Sequence, residues 1–260
     1  MAYETIIVER EGRVCTITMN RLPMNPVSNR MIEELNDVLN RIESDPEVRA
    51  IILTGAGEKA FCAGADVTEF GQAFGEGSVK DLVMTRHRLF TRIERFPKPV
   101  IAAINGYALG GGCELAMSCH LRIMADTAAV GQPEINLGII PGYGGTQRLP
   151  RLVGRTNAYE MLLLGERVSP QHALRIGLIN RISESANLMK DARELATRLA
   201  RQAPLAVRLI IDAVNRGLET TIEEALEIEA ENMAAVSATE DAMEGVMAFM
   251  QKRPPDFKGK

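Results

Sequence analysis

VIAAINGYALGGGCELAMS, residues 100–118, contains three structural instructions in a row. VIAAIN is an apolar, β-rich run that reads as a strand. GYALGGG reads as a loop whose glycines allow close approach of a ligand to the backbone. CELAMS starts a helix, so the free backbone N–H groups and the positive end of the helix dipole lie where the glycines stop. An anion is favoured at that place. Glu114 sits one turn or less into this helix, among Cys113, Leu115, Ala116 and Met117. A first-turn acid is a common helix feature, but one set in apolar neighbours is a candidate for proton transfer.

Outward from this unit the chain alternates strands and helices. TIIV (5–8), VCTITM (14–19), AIILTG (50–55) and LRIMA (121–125) read as further strands, which gives an α/β layered fold. Ser28 precedes a helix in which Met31, Leu35, Val38, Leu39 and Ile42 form one apolar face, ending at SDP (44–46). Ser169, Pro170 and Gly177 bracket a short capped helix. From Ala186 onward the pattern is almost wholly helical, with capping boxes predicted at TIEE (221–224) and SATE (237–240). The expected organisation is a core over 1–185 that carries the site, followed by a helical region over 186–260.

Composition narrows the function. With 30 basic and 34 acidic residues the net charge is −4, and no basic stripe offers a footprint for nucleic acid. The longest uncharged stretch, Pro99 to Cys113, is too short to span a membrane, and MAYETIIVER lacks the apolar run of a signal peptide. A cytoplasmic protein is expected. Cys15, Cys62, Cys113 and Cys119 share no CxxC spacing and His87, His120 and His172 are scattered, so no metal site is expected and the cysteines read as reduced core fillers. No GxSxG elbow is present. AIILTGAGEKA (50–60) imitates a dinucleotide-binding turn, but FCAGAD follows it with another glycine and no helical periodicity.

A second acid stands in GQPEINLGIIPGYGG, where Glu134 follows Pro133 and precedes an apolar run. Alone, it reads equally well as a first-turn helix residue. Paired with Glu114, it could hold a water between two carboxylates.

FCAGAD (61–66), NGYALGGGCELAM (105–117) and GQPEINLGIIPGYGGTQRLPRLVG (131–154), in this order, resemble the enoyl-CoA hydratase/isomerase (crotonase) superfamily, and most closely its short-chain enoyl-CoA hydratases. The likeness extends through RIESDPEVRAIILTG to AFMQKRPPDFK. It implies a spiral of ββα units with a helical C-terminal trimerisation region, assembled as a homotrimer or a homohexamer of paired trimers. It also implies an acyl-CoA substrate, with coenzyme A as part of the substrate and no separate cofactor. By the resemblance, the backbone N–H groups of Ala65 and Gly111 form an oxyanion hole for the thioester carbonyl. Glu114 is then the base that activates water and Glu134 the acid that protonates the α-carbon. The backbone around Ala63, Ala65, Asp66, Val67 and Thr68 contacts coenzyme A, with Lys59 as a partner for the ribose phosphate. Phe249 and Lys252 match C-terminal positions that reach coenzyme A, often from a neighbouring subunit.

The sequence departs from the family pattern at three places. Thr68 stands where many hydratases have Lys, LPMNPV (22–27) replaces a more familiar segment, and Tyr143 occupies a position where a smaller residue is often seen. Alternatives within the superfamily are an enoyl-CoA isomerase and a hydratase of a cyclic or aromatic acyl-CoA. An RNA-binding member is the alternative of another class, and the mixed or acidic helices after Ser169, Ala186 and Thr221 speak against it.

Overall fold

The computed structural model describes residues 3–260. In chain order the strands and helices are β1 (Ile6–Glu11), β2 (Val14–Met19), α1 (Asn29–Ser44), β3 (Ala50–Gly55), β4 (Ala60–Cys62), α2 (Val67–Glu76) and α3 (Val79–Glu94). Then follow β5 (Val100–Ile104), β6 (Tyr107–Leu109), α4 (Gly111–Ser118), β7 (Leu121–Ala125), β8 (Ala129–Gly131) and a 3-10 turn at Pro133–Leu137. The remainder is α5 (Gly145–Leu164), β9 (Arg167–Val168), α6 (Pro170–Arg175), β10 (Arg181–Ser183), α7 (Leu188–Ala200), α8 (Pro204–Gly217), α9 (Ile222–Ser237) and α10 (Glu240–Met250).

Two sheets organise the core. The larger runs β1-β2-β3-β5-β7-β10, parallel from β2 onward, and the smaller runs β4-β6-β8-β9. Every strand read from the sequence falls in the larger sheet. Its central strands are buried along their whole length, which is why they carry unbroken runs such as AIIL and VIAAI rather than an alternating pattern. The same step recurs three times: a strand of the large sheet, a short strand of the small sheet, then helix. β3–β4–α2, β5–β6–α4 and β7–β8–(3-10 turn, α5) are these units, and they wind as a crotonase-type spiral of ββα units.

The small sheet corrects the sequence reading. GYALGGG, expected as a loop, contains β6, and β4 runs from Ala60 into the first two residues of FCAGAD. Strands of two or three residues, set among glycines, are too short to show any period. AIILTGAGEKA therefore runs from β3 through a turn into β4, so its glycines open into a strand and not into a helix, while α2 begins only at Val67.

Local signals hold at the helix ends with one shift. The hydroxyls of Ser28, Ser169 and Thr221 accept from Met31, His172 and Glu224 N–H groups. SATE does not start a helix at Ser237. Ser237 closes α9 with its hydroxyl turned back to the Ala234 carbonyl, and Thr239 caps α10 by accepting from Ala242 N at 3.1 Å. Glu240 and Asp241 then occupy the acid-favouring first turn.

Within 186–260, α7 packs across β2, β3, β5 and β7 with Leu188, Ala192, Leu195 and Ala196 buried. α8 and α9 pack on each other and bury no residue fully. The chain end returns to α10, where buried Asp241 accepts from Lys258 N at 2.6 Å and Gly259 N at 2.8 Å. All four cysteines are free and buried. Among the described residues no helix is long and apolar enough to cross a membrane.

Candidate active site

Three loops of the spiral converge at the N-terminus of α4. The first follows β4 and carries Ala65. LPMNPV, the segment that departs from the family pattern, holds it in place. Val27 N donates to the Gly64 carbonyl at 2.9 Å, and Asp66 N donates to the Val27 carbonyl at 2.9 Å. In such a parallel bridge the residue between, Ala65, turns its own N–H the other way. Asn25 secures the segment from within: fully buried, it donates to the carbonyls of Ala56 and Ala60 at 3.0 and 2.8 Å.

The second loop follows β6 and enters α4. Gly110 has φ 53° and ψ −125°, a conformation closed to side-chain-bearing residues, and its N–H donates to the Gly131 carbonyl at 2.9 Å. Gly111 is the first helical residue, so its N–H has no partner inside the helix. A Cβ on Gly111 would lie 3.5 Å from Ala65 N, which puts the two loops side by side. Among the described residues neither the Ala65 N–H nor the Gly111 N–H donates to a backbone acceptor. Two adjacent free amides at a helix start form an anion-binding cradle.

Glu114 stands on the first turn of α4 and is 1% exposed. Its Oε1 accepts from Tyr143 N at 2.8 Å and from Gly145 N at 2.6 Å. Burial pushes its carboxyl up to about 8, against the two backbone donors and Arg148, and the neighbouring charge of Glu134 adds to the rise.

The third loop follows β8. Pro133 opens the 3-10 turn and Glu134 is its second residue, half-buried, with its carboxyl raised to about 7 by burial. Fully buried Gln132, with its amide oriented to satisfy its neighbours, donates to both Glu134 oxygens at 3.1 and 3.2 Å. The sequence reading missed this residue and the Tyr143 and Gly145 amides. The amides lie about 30 residues from Glu114 in the chain, and only the spiral brings them to it.

The remaining wall is aromatic. Tyr143 is 3% exposed, and a Cβ on Gly111 would stand 2.8 Å from its ring. Phe90 meets the same ring edge-on with centroids 5.9 Å apart.

The candidate coenzyme A positions divide. Ala63 and Ala65 are half-buried beside the cradle, whereas Val67 is 85% exposed and Thr68 is exposed on α2. The Asp66 side chain is occupied: it pairs with Arg21 at 2.9 Å and accepts from Thr68 N at 3.0 Å. Lys59 is exposed, with no side-chain hydrogen bond or ion pair among the described residues, and its carbonyl accepts from Tyr107 N at 3.0 Å. Phe249, 85% exposed, and Lys252 lie at the end of α10, and neither side chain bonds to the 59–68 segment within the described chain.

Known proteins share this sequence and fold. The enoyl-CoA hydratase/isomerase family model matches residues 9–260. A short-chain-enoyl-CoA hydratase of Clostridium acetobutylicum is 44% identical over 97% of both chains, and a crotonyl-CoA hydratase of Syntrophomonas wolfei is 42% identical over the full length of both. The crystal structure of an enoyl-CoA hydratase from Bacillus anthracis superposes with a TM-score of 0.95 at 41% identity, covering 99% of this chain and 100% of that one. With the family pattern matched from the first strand to the last residue, this chain belongs to the enoyl-CoA hydratase/isomerase family.

Proposed function

We propose that this protein is an enoyl-CoA hydratase that adds water across the 2,3 double bond of a short 2-enoyl-CoA thioester to give the 3-hydroxyacyl-CoA. The observation that carries the reading is the pair of carboxylates, Glu114 and Glu134, raised to about 8 and about 7, beside two unpaired backbone N–H groups. Burial raises both carboxyls into the neutral range, so the pair carries one proton between these values, and the reactive form is the one with Glu114 ionised and the proton on Glu134.

In this reading Ala65 and Gly111 N–H donate to the thioester carbonyl oxygen. Their pull draws electron density from the double bond and leaves C3 electrophilic. Glu114, its Oε1 anchored by two amides, takes a proton from water with its other oxygen while the water oxygen bonds to C3. The π pair moves toward C2 and the carbonyl oxygen, and the resulting enolate is held by the two amides. Glu134 delivers its proton to C2. A proton passing from Glu114 to Glu134 through solvent resets the pair. One preorganised amide of this kind is typically worth ~10²–10³ in rate and each acid–base group ~10²–10⁴. The step is redox-neutral and runs on side chains and amides alone. Coenzyme A enters as part of the substrate.

The reading includes assembly with further copies of the chain. Leu218, Ile222 and Leu226 are more than half exposed, and with Ile210, Val214 and Met233 they give α8 and α9 an apolar outer face. Ala225 and Ile228 are half-buried against the chain itself. A trimer, alone or paired, would cover that face. Light scattering at micromolar concentration should give three or six chain masses, and a monomer would refute this part.

The enzyme reading is tested with purified protein and crotonyl-CoA. Loss of the conjugated thioester absorbance, undiminished by a chelator, supports it. A stable absorbance at high enzyme concentration contradicts it.

A further inference from the structure

The turn that holds Glu114 is itself held from the other side. Arg148, in the first turn of α5 and 8% exposed, donates from Nη1 to the Tyr143 carbonyl at 3.1 Å. Its Nε and Nη2 donate to Glu94 Oε2 at 3.1 and 2.9 Å, and Nη2 also reaches Thr91 Oγ1 at 3.2 Å. The guanidinium thus spans from α3 to the 141–145 turn. Tyr143 is bonded on both sides, its carbonyl to Arg148 and its N–H to Glu114. Gly144 has φ 112°, and a Cβ there would collide with Arg148 Nη1, so the turn is shaped around the guanidinium.

We propose that Arg148 is a positioning residue for Glu114: its guanidinium clamps the 141–145 turn through the Tyr143 carbonyl and so fixes the two backbone N–H groups that grip the Glu114 carboxylate. A fork that bonds to two elements at once holds a peptide more rigidly than a point charge on a flexible stem. Its positive charge also favours the ionised form of Glu114. Among the described residues the other titratable groups facing Glu114 are Glu134, Cys113 and the Tyr143 phenol. Glu94 and His87 of α3 face Arg148, and Arg86 with Glu69 faces the Tyr143 ring. The role assigned to Glu114 rests on the hydratase reading, whereas the clamp rests on geometry alone.

Two readouts test it in Arg148→Met, Arg148→Lys and Glu94→Gln. The first is the titration of the Glu114 carboxyl by 13C NMR of glutamate-labelled protein, assigned with Glu114→Gln. The second is crotonyl-CoA hydration. Arg148→Met should move the Glu114 midpoint to higher pH, because a positive charge that favours the carboxylate is gone. Arg148→Lys should leave the midpoint near wild type and still lower kcat more than it changes KM, by up to ~10²-fold as expected for a misplaced catalytic group. Glu94→Gln, which loosens the anchor and keeps the guanidinium, should lower kcat less. An unchanged midpoint in Arg148→Met together with wild-type kcat in Arg148→Lys would overturn the proposal. If Arg148→Met does not fold, kcat in Arg148→Lys and Glu94→Gln decides alone. A wild-type protein that hydrates nothing, yet shows the midpoint shift, would refute the hydratase reading and leave the clamp standing.

Discussion

Gly110 and Glu134 occupy each other's margin: a methyl group on Gly110 would stand 2.7 Å from Glu134 Oε1. The loop that presents the Gly111 amide and the turn that presents the second acid are fitted through the absence of one carbon. Gly110→Ala should therefore strain the backbone by ~1–3 kcal/mol and displace Glu134. The expected outcome is a lower Tm and a kcat reduced by up to ~10². Thermal melts and hydration assays check it, and a folded variant with wild-type kcat would show that the two groups do not need this fit.

The pair of acids sets a pH window. Below about 7 both carboxyls are protonated and the base is lost, and above about 8 both are ionised and the acid is lost. The kcat/KM profile should be a narrow bell with its maximum between these values. A flat profile from pH 5 to 9 would contradict the assignment.

Stability should follow the same shift with the opposite use. Folding raises the Glu114 carboxyl from about 4.5 to about 8, so the native state binds this proton more tightly than the unfolded state. The contribution is fully present below the unfolded value and is lost as pH rises through about 8. Glu114→Gln, which cannot ionise, should gain Tm relative to wild type on going from pH 5 to pH 8.5. An equal Tm difference at both pH values would show that burial does not strain this acid.

Tyr143 narrows the space beside Gly111. Tyr143→Ala removes the ring that meets Gly111 and Phe90 and should favour longer or bulkier acyl chains, raising the ratio of octenoyl-CoA to crotonyl-CoA hydration by ~10-fold or more. The same change leaves a cavity and should cost ~3–5 kcal/mol of stability. Comparison of kcat/KM on the two thioesters decides, and an unchanged ratio would remove Tyr143 from the acyl wall.

Much of the fold is legible in the sequence because the large sheet is built from long apolar runs, and the Ser28 and Thr221 hydroxyls cap the helices their spacing announces. The small sheet is not legible. Ala60–Cys62, Tyr107–Leu109 and Ala129–Gly131 are each three residues long, and their pairing depends on the turn of the spiral. The site divides in the same way. Glu114 is conspicuous as an acid in an apolar helix start, and Glu134 only as its companion. Val27 turns the Ala65 N–H outward through backbone bonds that carry no side-chain signature, and the Arg148 guanidinium braces a backbone carbonyl that only the folded turn brings to it.

The central claim is that Glu114 and Glu134 act as one unit in adding water. Its most direct test is the rate of crotonyl-CoA hydration by Glu114→Gln, Glu134→Gln and the double variant, measured beside the double-bond shift of a 3-enoyl-CoA. Each single change should lower hydration by ~10²–10⁴ with coenzyme A binding retained, and the double variant should be little worse than the poorer single, because groups acting together are not additive. Near wild-type hydration in Glu134→Gln, with the double-bond shift abolished in Glu114→Gln, would contradict this and make the protein an isomerase.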